Sequence, residues 1–184
     1  MQRKLFLSVG TLLLIFLTAS NTRLAMVNWD TAAGDAHDWG NWHWDQSNFE
    51  VYLFGTHQNE AIRSINIWNS ETDVRMTSTS SHGDMSVWGG NFGDTGWSGL
   101  ASIEKTGWDW HCWANCRIAH GHARYNSYFG SGNSWFAQGV FCQEVGHLFG
   151  LGHNSRGGCM GLTYYDDHTN RPSAHDIADV NRKY

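Results

Sequence analysis

The segment that decides the fold of this chain runs from Cys142 to His153 and has the sequence CQEVGHLFGLGH. It belongs to a helical pattern that begins near Trp135, because apolar residues recur on one broad face of a helix. These residues are Ala137, Val140, Phe141, Val145 and Leu148. Gly150 can end the helix with a positive φ angle. We therefore predict a helix whose C-terminal end lets the chain turn back and bring His153 toward His147.

Four polar side chains of this segment are expected to converge on one point. Gln143 and His147 are four residues apart, so they lie one above the other on the same helix face, with Glu144 beside them. A catalytic zinc ion takes three protein ligands and leaves a fourth position for water. The metal lowers the pKa of that water, and a nearby carboxylate accepts its proton. The spacing predicts Gln143, His147 and His153 as metal ligands and Glu144 as the general base.

The segment resembles the extended zinc motif of the metzincin peptidases, HExxHxxGxxH, at Glu144, His147, Gly150 and His153. Met160 stands where that clan has a methionine beneath the metal. The resemblance is to the matrixin-like branch and related bacterial secreted metallopeptidases, and it extends over roughly the last two-thirds of the chain. Two weaker likenesses are those of 99–101 to the family's substrate-binding edge strand and of 175–177 to its last helix.

The resemblance implies an α+β fold of the metzincin (zincin) type. Such a domain has a twisted mixed sheet of four or five strands, mostly parallel with one antiparallel edge, and three helices that include the active-site helix and a C-terminal helix. It also implies a secreted zinc-dependent endopeptidase that hydrolyses peptide bonds of a protein or peptide substrate with metal-activated water. Tyr164 or Tyr165 would then either support the oxyanion or simply pack in the pocket wall.

Gln143 departs from the family pattern, because a histidine is the first ligand there. An amide oxygen can bind zinc, but it is a neutral, harder and weaker ligand than imidazole. Three outcomes stay open: Gln143 binds the metal directly, His168 or His175 completes the ligand set, or the site binds metal weakly and does little.

Two other function classes compete with the peptidase. One is a non-catalytic secreted binding protein that keeps the fold and has lost turnover through Gln143. The other is a carbohydrate-binding module, suggested only by the tryptophan-rich segment that includes Trp29, Trp39, Trp42 and Trp44. Such clusters pack against the body of a small domain more often than they stack on sugars, so we expect packing.

Composition excludes several partners. The 184 residues carry a net charge of −5 without a basic patch, which argues against nucleic acid and anionic membranes. Residues 1–20 combine a positive start, an apolar run and small residues, which predicts a cleaved secretory signal peptide. We expect residues 21–47 to form a tryptophan- and glycine-rich arm and residues 48–184 to form a monomeric, extracellular domain without membrane attachment.

The four cysteines are Cys112, Cys116, Cys142 and Cys159. An even number in a secreted chain predicts two disulfides, and four cysteines allow three connectivities. We favour Cys112–Cys116, a local loop, together with Cys142–Cys159, which would tie the metal-site helix to the segment after it. A cysteine metal site is disfavoured because the spacing has no paired CxxC.

Periodicity and turn residues predict the remaining elements. The predictions are a strand over 49–54, a helix capped by Thr56 and running to about Asn69, a strand over 74–79, a long loop over 81–98, an edge strand over 99–104, a loop over 106–116, a strand or hairpin arm over 118–129, and a helix over 174–184 with Ile177 and Val180 inward.

A second metal site is not expected. His82-Gly83-Asp84 resembles the family's loop that holds a structural zinc, and His122 is a further match. However, Ser102 stands where that family would offer another histidine, so the ligand set is incomplete. His120 and His122 alternate on a predicted strand and are interpreted as surface residues.

Overall fold

The computed structural model describes residues 42–106, 116–130, 132–161 and 169–184. They form an α+β fold with a six-stranded, mostly parallel mixed sheet and four helices. The elements are β1 (Trp42–His43), β2 (Asn48–Gly55), α1 (Gln58–Glu71), β3 (Arg75–Thr79), β4 (Met85–Gly90), β5 (Gly99–Thr106), β6 (Cys116–Asn126), α2 (Ser127–Gly130), α3 (Ser134–Leu148) and α4 (Ala174–Lys183). The predicted signal peptide, Cys112, Tyr164, Tyr165 and His168 lie outside the described residues.

The main sheet has the order β3-β2-β4-β6-β5. Every neighbouring pair is parallel except β5 with β6, which is antiparallel, and the short β1 pairs in parallel with the start of β6. The predicted α+β class and the antiparallel edge are therefore confirmed. The strand predicted over 49–54 lies within β2, the one over 74–79 coincides with β3 except for its first residue, and the one over 99–104 lies within β5.

The predicted loop over 81–98 is wrong in its first half. Residues 85–90 form β4, which lies between β2 and β6 in the sheet. The glycines of this strand gave it the composition of a loop, but the sheet needs at least one of them. A Cβ at Gly89 would lie 2.5 Å from the carbonyl oxygen of Thr56, so only glycine fits this close backbone approach.

The predicted helix cap at Thr56 is wrong by one residue. Its N–H donates to the Gly89 carbonyl at 2.9 Å, and the residue before α1 is His57, in the left-handed conformation with φ 58°. Helix α4 agrees with the prediction more closely, since Val180 is fully buried. Ile177 is only half-buried, however, because Asp176 occupies the more interior position beside it.

Helices α1 and α3 pack against each other and against the sheet. Trp68 of α1 is fully buried, and its indole N–H donates to the carbonyl oxygen of Cys142 on α3 at 3.1 Å. All five apolar residues predicted to face inward on α3 are buried. The predicted disulfide Cys142–Cys159 is present and links α3 to the segment after it. None of the helices in the described ranges is both long and apolar enough to cross a membrane.

The described end of the tryptophan-rich arm is folded into the domain. Trp44 is buried and packs edge-to-face on Phe49, with ring centroids 5.3 Å apart. Its indole N–H donates to the carbonyl oxygen of Leu148, the last residue of α3, at 2.7 Å. A carbonyl at a helix end has no partner within its own helix, so this tryptophan supplies one from outside.

We predict that Trp44→Phe lowers the free energy of unfolding by about 1–3 kcal/mol, the cost of leaving a buried carbonyl without its donor. Urea unfolding measures the change. Trp135→Phe is the matched control because Trp135 is 44% exposed, and it should change stability by less than about 0.5 kcal/mol. Equal effects of the two substitutions would contradict a specific role for the Trp44 bond.

Candidate metal centre

Two histidines meet at the C-terminal end of α3. The Nε2 atoms of His147 and His153 are 3.1 Å apart, and their ring centroids are 4.9 Å apart. Two nitrogens that each lie about 2.1 Å from one zinc ion at a tetrahedral angle are about 3.4 Å from each other. The two rings therefore have the spacing of ligands that share one metal ion.

A hydrogen bond sets the tautomer of His147. Its Nδ1 lies 2.7 Å from the carbonyl oxygen of Leu151, and a carbonyl can only accept, so Nδ1 carries the proton. In the neutral ring this leaves the lone pair on Nε2, the atom that faces His153. Backbone carbonyls orient metal-binding histidines in this way. The two imidazoles and the tautomer of His147 thus supply two of the three protein ligands that a catalytic zinc ion takes.

The turn that brings His153 back depends on Gly150. Its N–H donates to the His147 carbonyl at 2.8 Å, and the N–H of Leu151 donates to the Gly146 carbonyl at 3.2 Å. This pair of bonds is a Schellman motif, which requires a left-handed residue, and Gly150 has φ 80°. A Cβ at Gly150 would also lie 2.2 Å from the carbonyl oxygen of Trp42. The predicted helix end at Gly150 is confirmed.

Met160 packs against the helix that carries His147. It is fully buried, and a Cβ placed on Gly146, the residue before His147, would lie 2.3 Å from its Sδ atom. The N–H of Asn154, which follows His153, donates to the Met160 carbonyl at 2.9 Å. Met160 therefore connects α3 to the segment that follows His153.

Gln143 is half-buried on α3, and its Nε2 donates to the carbonyl oxygen of Gly161 at 3.3 Å. The amide nitrogen is engaged with the protein, which leaves Oε1, the atom that a metal would use, outside this bond. Within the described ranges, no third His, Cys, Asp or Glu has a ligand atom within 4.8 Å of both His147 and His153. His175, one of the alternative ligands, has its Nδ1 3.5 Å from Asp179 on α4.

Glu144 is fully buried, and among the described residues neither carboxylate oxygen has a hydrogen-bond partner of regular geometry. Burial raises its pKa to about 8, against a smaller opposing effect of the Ala101 backbone on β5. Without a neighbouring cation the carboxyl is therefore protonated at pH 7, whereas a nearby zinc ion would favour the charged form. A Cβ at Gly99 would lie 2.2 Å from Oε1, so the carboxyl sits against the first residue of β5.

A second cluster of ligand-type side chains was missed in the sequence. Glu104, His120 and His122 each offer a ligand atom, and these atoms lie within 4.8 Å of one another. The alternation of His120 and His122 was visible in the sequence. Glu104 was not recognisable as their partner, because its place depends on how β5 pairs with β6.

No protein-family model matches the chain, and no curated protein matches it. The assignment of a function therefore depends on the chain's own residues and their geometry.

Gly146→Ala tests the packing of Met160 against α3. In an open helix this change would stabilise by about 1 kcal/mol. Here the new methyl group overlaps Met160, so we predict a loss of about 1–3 kcal/mol in the free energy of unfolding. In a Met160→Ala background the same change should cost less or become favourable, as a double-mutant cycle in urea would show. An equal cost in both backgrounds would refute the proposed contact.

Proposed function

We propose that this chain is a secreted zinc-dependent endopeptidase of the metzincin type. The observation that carries the proposal is the pair of Nε2 atoms of His147 and His153, 3.1 Å apart, at the end of the helix that bears Glu144. The sequence pattern that resembles the metzincin motif supports the same function. The Cys142–Cys159 disulfide agrees with an oxidising compartment, as the proposed signal peptide over residues 1–20 requires.

The ligands in this proposal are Nε2 of His147, Nε2 of His153 and Oε1 of Gln143. When bound, a zinc ion supplies a Lewis acid that polarises the substrate carbonyl and makes water more acidic. Glu144 accepts a proton from the attacking water at one carboxylate oxygen. It then donates that proton to the amide nitrogen of the scissile bond, so that the amine leaves and the carboxyl is ready for another cycle.

The edge strand β5 favours a peptide as the substrate. In the described part of the chain, β5 pairs with β6 only, so its other edge has unpaired backbone donors and acceptors. An extended peptide binds such an edge by adding a strand. Gly99 at the start of β5 touches the Glu144 carboxyl. A peptide bound along β5 would therefore have its backbone beside the proposed general base.

A non-catalytic, metal-binding secreted protein is the second candidate. It is favoured by two observations: Gln143 offers a weaker ligand than histidine, and the Glu144 side chain is completely buried. In that case zinc would be bound without turnover, and the β5 edge would serve to bind a partner segment.

Glu144→Gln separates the two candidates. We predict that it lowers casein or gelatin cleavage by about 10²–10⁴-fold, because the proton acceptor is lost, while zinc content after dialysis is unchanged. Glu71→Gln, at the end of α1, is the matched control and should retain full activity. A wild-type chain that holds zinc but cleaves neither substrate would favour the binding protein, and one that holds no zinc would contradict both.

Gln143→His tests the third ligand. We predict tighter zinc binding than in the wild-type chain, because imidazole is a better zinc ligand than an amide oxygen, and Gln143→Ala should bind more weakly. Competition with a chromophoric chelator measures both affinities. If the histidine variant binds zinc equally or more weakly, Gln143 is not a ligand.

A further inference from the structure

We propose a second divalent-cation site, of the zinc class, formed by Glu104 of β5 and by His120 and His122 of β6. It is separate from the centre at His147 and His153, and it does not depend on the proposed peptidase activity. The juxtaposition of two imidazoles and a carboxylate across the β5–β6 pair carries the proposal.

The three side chains already have the spacing of a ligand set. Their ligand atoms lie within 4.8 Å of one another. Nε2 of His122 is 2.9 Å from Oε1 of Glu104, and the His120 and His122 ring centroids are 4.7 Å apart. Two imidazole nitrogens and one carboxylate oxygen are donors that zinc accepts, whereas magnesium and calcium prefer oxygen ligands alone.

The two ring nitrogens of His122 have different surroundings. Among the described residues, the buried Nδ1 has no hydrogen-bond partner, whereas Nε2 faces Glu104. The ring packs edge-on against Trp88, with centroids 5.3 Å apart, which provides contact but no acceptor. A buried polar atom without a partner costs about 1–3 kcal/mol. Nε2 is therefore the nitrogen through which His122 would bind an ion together with Glu104.

A bulge in β5 places Glu104 in the cluster. Ile103 pairs with Gly121 and Lys105 pairs with His120, and the register shifts between Ile103 and Lys105. Glu104 is thus the extra residue, and a bulge of this kind redirects the side chain it contains. On the opposite strand His120 is itself held, because its Nε2 lies 3.3 Å from the hydroxyl oxygen of Ser86.

The cluster faces away from the helix that carries the first centre. A Cβ at Gly121 would lie 2.8 Å from a methyl group of Leu148, so Gly121 points toward α3. His120 and His122 flank Gly121 and therefore point to the other face of the sheet. Asp84, in the loop that resembles the family's structural-zinc loop, instead accepts the Glu50 N–H at 2.8 Å. In the part of the chain that the structure describes, the ligand set therefore consists of residues from β5 and β6.

A cation at this place would fasten β5 to β6. Glu104 comes from one strand and both histidines come from the other, so one ion would cross-link the strands at the bulge. The pairing there is irregular and has fewer regular ladder bonds to resist fraying. We expect the ion to hold the edge strand in place.

Zinc stoichiometry in a chain without the first centre tests this proposal. In the full chain carrying His147→Ala and His153→Ala, we expect one zinc per chain after dialysis, measured by elemental analysis. Adding Glu104→Ala and His120→Ala should reduce this to none, whereas adding Asp73→Asn, which removes an exposed carboxylate outside the cluster, should leave it at one. In the chain that carries only His147→Ala and His153→Ala, added zinc should slow hydrogen exchange of the β5 amides. It should have no such effect once Glu104→Ala and His120→Ala are added.

If the variant with His147→Ala and His153→Ala fails to fold, Glu104→Ala and His120→Ala can be tested in the otherwise wild-type chain. There, Glu104→Ala with His120→Ala should lower bound zinc by one per chain, without loss of the zinc at the first centre. Unchanged zinc content on removal of Glu104 and His120, in whichever background folds, would overturn the proposal. Loss of peptidase activity alone bears only on the first centre, so the two failures are distinguishable.

Discussion

The hydrogen bond between Nδ1 of His147 and the carbonyl oxygen of Leu151 is the contact on which the candidate centre depends. It exists because the chain reverses at Gly150 and brings a backbone carbonyl back toward the ring that precedes it by four residues. The same reversal carries His153 into contact with His147. One left-handed glycine therefore determines the ring orientation of the first histidine and the approach of the second. A side chain at this position would disturb both, since the Trp42 backbone leaves no room for one.

The antiparallel edge strand connects the two halves of the functional proposal. Its first residue, Gly99, touches the Glu144 carboxyl on the helix side of the sheet. Near its other end, Glu104 meets two histidines on the opposite side. Edge strands are usually the least restrained part of a sheet, because only one neighbour holds them. Here one end of β5 contacts Glu144 and the other end contributes Glu104 to the histidine cluster. Contacts at both ends would restrain the strand while a peptide pairs with its open edge.

Much of the fold followed from local pattern. Helix α3 was predictable because its buried face repeats at helical spacing and Gly150 marks its end. The central strand β4 was not predictable, because Gly89 is required by a close approach to the Thr56 backbone that is visible only in the folded sheet. The histidine pair was foreseen from spacing along one short segment. The cluster of Glu104, His120 and His122 was not foreseen. It depends on the register of β5 against β6 and on a bulge, and a single sequence does not indicate either.

The packing of Trp42 and Trp44 limits how far the chain can be shortened from its N-terminal side. Trp44 covers the last carbonyl of α3, and the Trp42 carbonyl lies against Gly150. A protease that removed the chain through Trp44 would expose the end of the helix that holds His147, although no proposed ligand would be lost. A shortened chain must therefore begin before Trp42 if the end of α3 is to keep the contacts that hold it.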